Sequence, residues 1–427
     1  MAWIYERAEV TIIAASGVDA HHGLPGVEST SRTTQPKIEL GNMTLVHTLA
    51  DPQVLLQDSK WWTRGWTYQE GVLSRRRLVF LEDQVYWECR SMVAHETVRF
   101  PLLSTHTKNK LCMVPSMRGG LLGGKPEKYS PFLTKGNDVK VKCAELAQHI
   151  SNFTRRDLRY ETDILSAFEG ISSHYSGDNS NIRLILGLPL IVTEIGSRCN
   201  VSFALALVSW IHESGHESPR RLNRFPSWTW AGWKGAVNWG WLLNYLPPDV
   251  LLYRWNVNLL LLRDIEDIYA PEIELITTTD KSFTLLGGMS SIPFELLKNC
   301  AFTLRIKTPY YLRNCTIKKT EIQNHIQRWE INGFEARIGT SISGMLDESQ
   351  ELQDDGLVKV ILMSYIYLKF WSLRFLIIRK LDSDGADNHW ERVGAIFLDC
   401  EDREFEDIVS QEIGLGLYPL DHDILLR

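Results

Sequence analysis

The sequence predicts an α/β module at the front of the chain, followed by an α+β region with several antiparallel strands. Three observations predict it. The apolar run VTIIAAS (Val10 to Ser16) follows a helix end marked by Trp3, Ile4, Tyr5 and Arg7, as strands buried in parallel sheets do. The segments RRLVFLE and VYWEC, parted by Asp83 and Gln84, read as a two-stranded hairpin. From Phe225 onward the texture is of strands between turns: SWTWAGW, NVNLLLL, IELITTT, FTLRIK, KVILMSY and FLIIRKL.

Composition bounds what such a chain does. With 427 residues and 44% hydrophobic content it can bury a large core divided among two or three domains. A formal net charge of −6 argues against non-specific nucleic-acid binding, so any basic site is local. Cys89, Cys112, Cys143, Cys199, Cys300, Cys315 and Cys400 are scattered with no CxxC pair, which predicts reduced thiols in a cytoplasmic protein rather than a disulfide framework or zinc site. Glu6, Arg7 and Glu9 interrupt the apolar run that a signal peptide needs.

Taken in order, Gly17, Gly23, Pro25 and Gly26 make a loop after the first strand, and LVHTL (Leu45 to Leu49) reads as a further strand. Ser59 caps a helix over Trp61 to Leu73, with Trp62, Trp66, Glu70 and Leu73 on one face. Gly65 and Gly71 inside it each cost about 1 kcal/mol relative to Ala, so packing must hold the helix. Residues 117–138, rich in Gly, Pro and Lys, read as a linker or loop that separates a domain over 1–116 from one over 139–427. Val139, Cys143, Leu146, Ile150 and Phe153 recur at helical spacing, and so do Ile164, Leu165, Phe168 and Ile171, with Thr162 or Asp163 as cap. The bridge RRDLRYETD between them can pair its own charges, and a third helix is expected over Phe203 to Ile211. Val360 to Ile378 is nearly long enough to span a bilayer, but it contains Lys369 and Arg374 and alternates, so a hairpin is preferred and no membrane association is expected.

Chemistry is constrained first by what is missing. The chain has no GxGxxG after a strand, no GxxxxGK[ST], no HExxH and no GxSxG. Glu70, one turn beyond Trp66, is the candidate catalytic carboxylate, which a neighbouring indole can desolvate; the competing reading is an ion pair with Arg64, Arg75, Arg76 or Arg77. Three arginines in a row at a strand start alternate across both faces and make a weak anion site. Trp228, Trp230 and Trp233 form either a stacking platform for sugars or bases or the filling of a core, the first two sharing a strand face by period two. His21 and His22 point apart and have no third partner at a metal-ligand spacing, so no metal is expected.

Five stretches in one order, IYERAEVTIIAASGVDAHHGLPGV, RGWTYQEGVLSRRRLVFLEDQVYWEC, FTRRDLRYETDILSAFEGI, LGLPL and RFPSWTWAGWKG, resemble the fungal heterokaryon incompatibility (HET) domain proteins. The first two resemble the distal half of the HET domain. The others, through RVGAIFL, resemble the region that follows it, so 1–116 is expected to be a partial, C-terminal HET half. The resemblance implies a role in allorecognition and programmed cell death through protein partners or self-association, without a cofactor. It also implies a TIR-like sheet, and for some TIR domains NAD cleavage by a glutamate near a tryptophan. On that alternative Glu70 is catalytic, Trp66 and Arg64 meet the NAD substrate, and the chain is a glycohydrolase. The family's leading strands, with SYxWG-like and WxDxxCxxQ-like motifs, have no counterpart before Met1. The chain is therefore expected to be truncated, with VTIIAAS short of strand partners, and not to be an autonomous enzyme.

Overall fold

The computed structural model describes residues 1–19, 21–47, 49–89, 93–97, 139–176, 180–192, 196–213, 218–239, 268–285, 302–307, 310–313, 315–323, 326–331, 334–340, 350–352, 357–367, 371–381, 389–400 and 417–427. The chain divides into two compact units, Met1–Gly136 with Asn152–His174, and Asn137–Ser151 with Tyr175–Arg427. The expected linker over 117–138 lies outside the described residues.

The elements of the first segment are α1 (Ala2–Arg7), β1 (Thr11–Ala14), β2 (Lys37–Leu40), β3 (Met43–Val46), α2 (Pro52–Gln57), α3 (Lys60–Thr63), α4 (Trp66–Leu73), β4 (Arg76–Phe80), β5 (Val85–Cys89) and β6 (Val93–His95). A four-stranded sheet runs β1-β4-β5-β6. The expected hairpin is present, with Arg76 opposite Cys89 and Phe80 opposite Val85. β1 pairs parallel to β4, Ile13 against Val79, but it is an edge strand. The run is therefore not the strand buried within a parallel sheet that its apolar character suggests but one short of strand partners among the described residues, with Ile13 2% exposed and Ile12 56%. A strand with one neighbour keeps an open side.

The helix expected over Trp61 to Leu73 is two helices. Ser59 does cap the first, accepting a hydrogen bond from Trp62 N at 3.2 Å. Arg64 then turns extended (φ −82°, ψ 134°), because the backbone groups around it bond elsewhere: Gly65 N donates to Asp157 O at 2.7 Å and Asp157 N to Thr63 O at 2.6 Å. Gly65 thus stands at the entry to α4 rather than inside a helix, and a Cβ there would lie 2.5 Å from Leu158 Cδ2. The strand expected at LVHTL begins two residues earlier, as β3, and pairs with β2.

Downstream come α5 (Val139–Thr154), a single 3-10 turn (Glu161–Asp163), α6 (Ile164–Tyr175) and α7 (Gly196–Val208). The periodic residues Cys143, Leu146, Ile150 and Phe153 are buried, and so are Ile164, Phe168 and Ile171, as the 3.6-residue period requires. α7 lies earlier than the helix expected over Phe203 to Ile211, since Ile211 pairs in a strand with Asn238 instead.

The strands of the second unit are β7 (Ile182–Ile185), β8 (Leu188–Ile191), β9 (Ile211–His212), β10 (Arg220–Arg221), β11 (Trp233–Lys234), β12 (Val237–Asn238), β13 (Ile268–Tyr269), β14 (Ile273–Thr277), β15 (Ser282–Thr284), β16 (Phe302–Ile306) and β17 (Tyr310–Leu312). They continue with β18 (Cys315–Gln323), β19 (Ile326–Ile331), β20 (Phe334–Thr340), β21 (Gln350–Leu352), β22 (Val358–Tyr367), β23 (Trp371–Lys380), β24 (His389–Cys400), β25 (Leu417–Pro419) and β26 (Ile424–Leu426). Among the described residues fourteen strands form one sheet along β15-β14-β16-β26-β24-β20-β19-β18-β21, with β23 joining β24 to β22. The stretch weighed as a membrane span is the β22–β23 hairpin, Val358 opposite Arg379 and Tyr367 opposite Trp371. No helix of the described residues is long and apolar enough to cross a membrane. NVNLLLL lies outside the described residues.

SWTWAGW departs most from expectation. It is no strand: Thr229 caps a 3-10 turn over Trp230–Gly232, and only Trp233 and Lys234 are extended. Trp228 and Trp230 are 0% exposed, Trp230 Nε1 donates to Gly187 O at 3.0 Å and Trp233 Nε1 to Ser227 O at 2.8 Å. These indoles fill a core and have no face free for sugars or bases, which removes the stacking-platform reading.

Candidate functional site

Glu70 lies in the middle of α4, half-buried, one turn beyond half-buried Trp66. Its carboxylate does not pair with the arginines. Trp61 Nε1 donates to Oε2 at 3.3 Å, and the Tyr5 phenol lies close enough to the carboxylate to feel its charge. Burial, followed by the Glu70 charge, raises the Tyr5 pKa to about 12, so the phenol keeps its proton. α3 thus supplies the donor, α1 a neutral phenol beside it, and α4 the carboxylate between them. A carboxylate held by a donor is oriented, as a general base or nucleophile has to be.

Beside this group Arg156 is buried in a box of rings. Its guanidinium lies 4.5 Å from the Trp62 centroid, 4.8 Å from Tyr68 and 5.9 Å from Trp61. Nη1 reaches Arg64 O and Thr67 Oγ1, both at 3.4 Å, while Nε and Nη2 find no acceptor among the described residues. Burial lowers its pKa to about 10, and the same burial raises that of Tyr68. The bridge RRDLRYETD was expected to pair its own charges. Arg156 instead enters the aromatic box, where ring faces substitute for a carboxylate. Nothing in a run of charges marks which arginine goes inside, although the surplus of indoles at Trp61 and Trp62 is a signal in retrospect.

Residues 1–70 match the family model described as Heterokaryon incompatibility protein (HET). The chain carries a HET segment. No curated protein and no solved structure matches significantly. The HET match runs from α1 through the first turns of α4 and ends on Glu70 itself, so it takes in Tyr5, Trp61, Arg64 and Trp66. At the level of the family, the function is related to heterokaryon incompatibility.

The other candidates of the HET segment and its surroundings separate in the structure. Arg64 is exposed on the α3–α4 connection. Arg76 pairs with Glu9 at 3.0 Å, and Arg77 turns to the opposite face, buried against Glu88 at 3.6 Å and donating to the carbonyls of Gly71 and Val72 at the end of α4. With two of three arginines met by carboxylates, the run is a structural clamp rather than an anion site. His22 Nε2 lies 3.7 Å from Glu82, and no cluster fit for a metal exists among the described residues.

Proposed function

We propose that the chain acts in fungal heterokaryon incompatibility as a signalling or regulatory protein that works by protein association. The observation that carries this reading is the β2–β3 hairpin inside the HET segment. Its register sets Ile38 opposite Leu45 and Leu40 opposite Met43, so these four apolar side chains share one face, with Lys37, Glu39, Thr44 and Val46 on the other. All four are between 52% and 66% exposed. A lone two-stranded hairpin is marginal in water, and a contiguous apolar face on one invites a protein cover. The open edge of β1 and the exposed Trp3 and Ile4 add to the same unit's capacity for association. Replacing Ile38 and Leu45 together by lysine is expected to abolish oligomers seen by light scattering and any growth arrest on expression. A parent chain that is strictly monomeric and inert would overturn the reading.

A second reading is favoured by the donor beside Glu70. If the sheet is kin to TIR domains, Glu70 attacks or stabilises the N-glycosidic carbon of NAD while Trp66 stacks a ring and Arg64 meets the phosphates. Glu70→Gln keeps an oxygen to accept from Trp61 and so leaves the fold intact. It is expected to lower nicotinamide release from NAD by about a hundredfold or more. Equal rates from parent and variant end this reading.

A further inference from the structure

The second unit contains a cleft that neither reading uses. Sheet register builds its floor. Ile276 stands opposite both Ser282 and Thr303, and Arg305 is in register with Leu425, which is in turn in register with His389. Thr303 and Arg305, two apart on β16, point to one side of the sheet; Leu304 and Ile306 point to the other and are 0% exposed. The outer side is therefore a row crossing five strands in which Ser282, Thr303, Arg305 and His389 are interspersed with Ile276 and Leu425. The segment from Arg221 to Pro226 stands over it as a wall, tied down where Ser227 N donates to Arg427 O at 3.0 Å. Between them lies a cavity of about 800 Å³, within the range of small-ligand sites.

The charges around this cavity are unequal. Among the described residues Arg221, Arg224, Arg305 and Arg427 line it with His389, and Asp280 is the one acidic side chain of the lining. Further out, Arg305 is held by Glu274 at 3.0 Å and Asp423 at 3.9 Å, and Arg221 donates to Gly232 O at 2.7 Å with Glu391 at 3.9 Å. Arg305 and Arg221 are thus pre-positioned. Arg224 and Arg427 are exposed and have no carboxylate partner among the described residues. Phe225, Pro226, Ile276 and Leu425 add an apolar wall next to the cations, and Thr303 adds a hydroxyl.

We propose that this cleft binds a compact phosphate ester with an apolar body, the size and chemistry of a nucleoside phosphate. Guanidinium forks meet phosphate oxygens bidentately, and two uncommitted arginines beside two fixed ones match the several oxygens of a phosphate or diphosphate. The apolar wall gives the rest of the ester something to pack on. A polymer is disfavoured because the chain's net charge is −6.

The test is calorimetric titration of the full chain with ATP, AMP and inorganic pyrophosphate, without added metal. ATP is expected to bind most tightly, and pyrophosphate to compete with it. Arg224→Ala and Arg427→Ala, both at exposed positions, are each expected to weaken ATP binding by about tenfold with unchanged melting temperature, whereas Lys318→Ala on β18 changes nothing. Absence of binding by all three probes at millimolar concentration overturns the proposal. So does ATP binding that the two arginine variants leave intact, and so does a single-stranded oligonucleotide that binds more tightly than ATP and loses its affinity in the same variants.

Discussion

Alanine at Gly232 is expected to destabilise the second unit by about 3 kcal/mol or more, read as a lowered urea midpoint or a failure to fold. Gly232 ends the 3-10 turn that Thr229 caps, and its backbone passes so close to the loop before it that a Cβ would lie 2.1 Å from Pro226 O and 3.0 Å from Arg221 Nη1. The first of these atoms is backbone and cannot swing away. Relief requires parting the two segments, yet they are joined where Leu222 N and Arg221 Nη1 both donate to Gly232 O, at 2.8 and 2.7 Å. The same segment seats Trp228, Trp230 and Trp233, so a shift there disturbs three buried indoles together. Gly41→Ala is the control. Gly41 has φ +61° at the tip of the β2–β3 hairpin with nothing near its missing Cβ, so alanine there costs only the backbone strain, roughly 1 kcal/mol.

Stability is expected to fall as pH drops below about 6.5, and His212→Phe is expected to flatten that fall. His212 lies on β9, with the rings of Trp210 and Trp233 at 5.6 and 5.7 Å, both edge-on. Burial, with the charge of Arg392 second, lowers its pKa to about 3. The unfolded chain protonates this imidazole near its ordinary value, and the folded chain does not until far more acid pH. Between those values the unfolded state binds the extra proton, so stability is whole above 6.5 and is lost towards 3, at up to about 1.4 kcal/mol per pH unit. At pH 4.5 the loss from this one group is roughly 2 to 3 kcal/mol. Arg392 keeps its fully buried guanidinium over the Trp210 ring, 3.5 Å from the centroid, and donates to the carbonyls of Leu207 and Trp210. Urea midpoints from pH 7.5 to 4.5, for parent and His212→Phe, measure the difference. Parallel curves would show that His212 is not the group that titrates.

Local pattern was informative where one segment decides its own state. The β4–β5 and β22–β23 hairpins follow from period two around a short turn, and α5 and α6 from apolar residues every three or four positions. It failed where another segment intervened. Arg64 leaves the helix because Asp157, far along the chain, takes the backbone hydrogen bonds on either side of it. Trp228 and Trp230 alternate like a strand but close a 3-10 turn, since Leu186 O and Gly187 O accept from Thr229 Oγ1 and Trp230 Nε1.

What the amino-acid sequence determined by itself is the list of elements with strong periodicity, the HET resemblance at its front, and Glu70 with its neighbouring indoles as the carboxylate to examine. Tertiary structure alone decided which charges are spent. Arg77 is committed to Glu88, Arg156 to aromatic rings and Glu70 to Trp61, while Arg224 and Arg427 stay uncommitted beside a cleft. The reason is physical: periodicity is a property of near neighbours, whereas a charge's partner and its burial are set by segments that meet only when the chain has closed on itself.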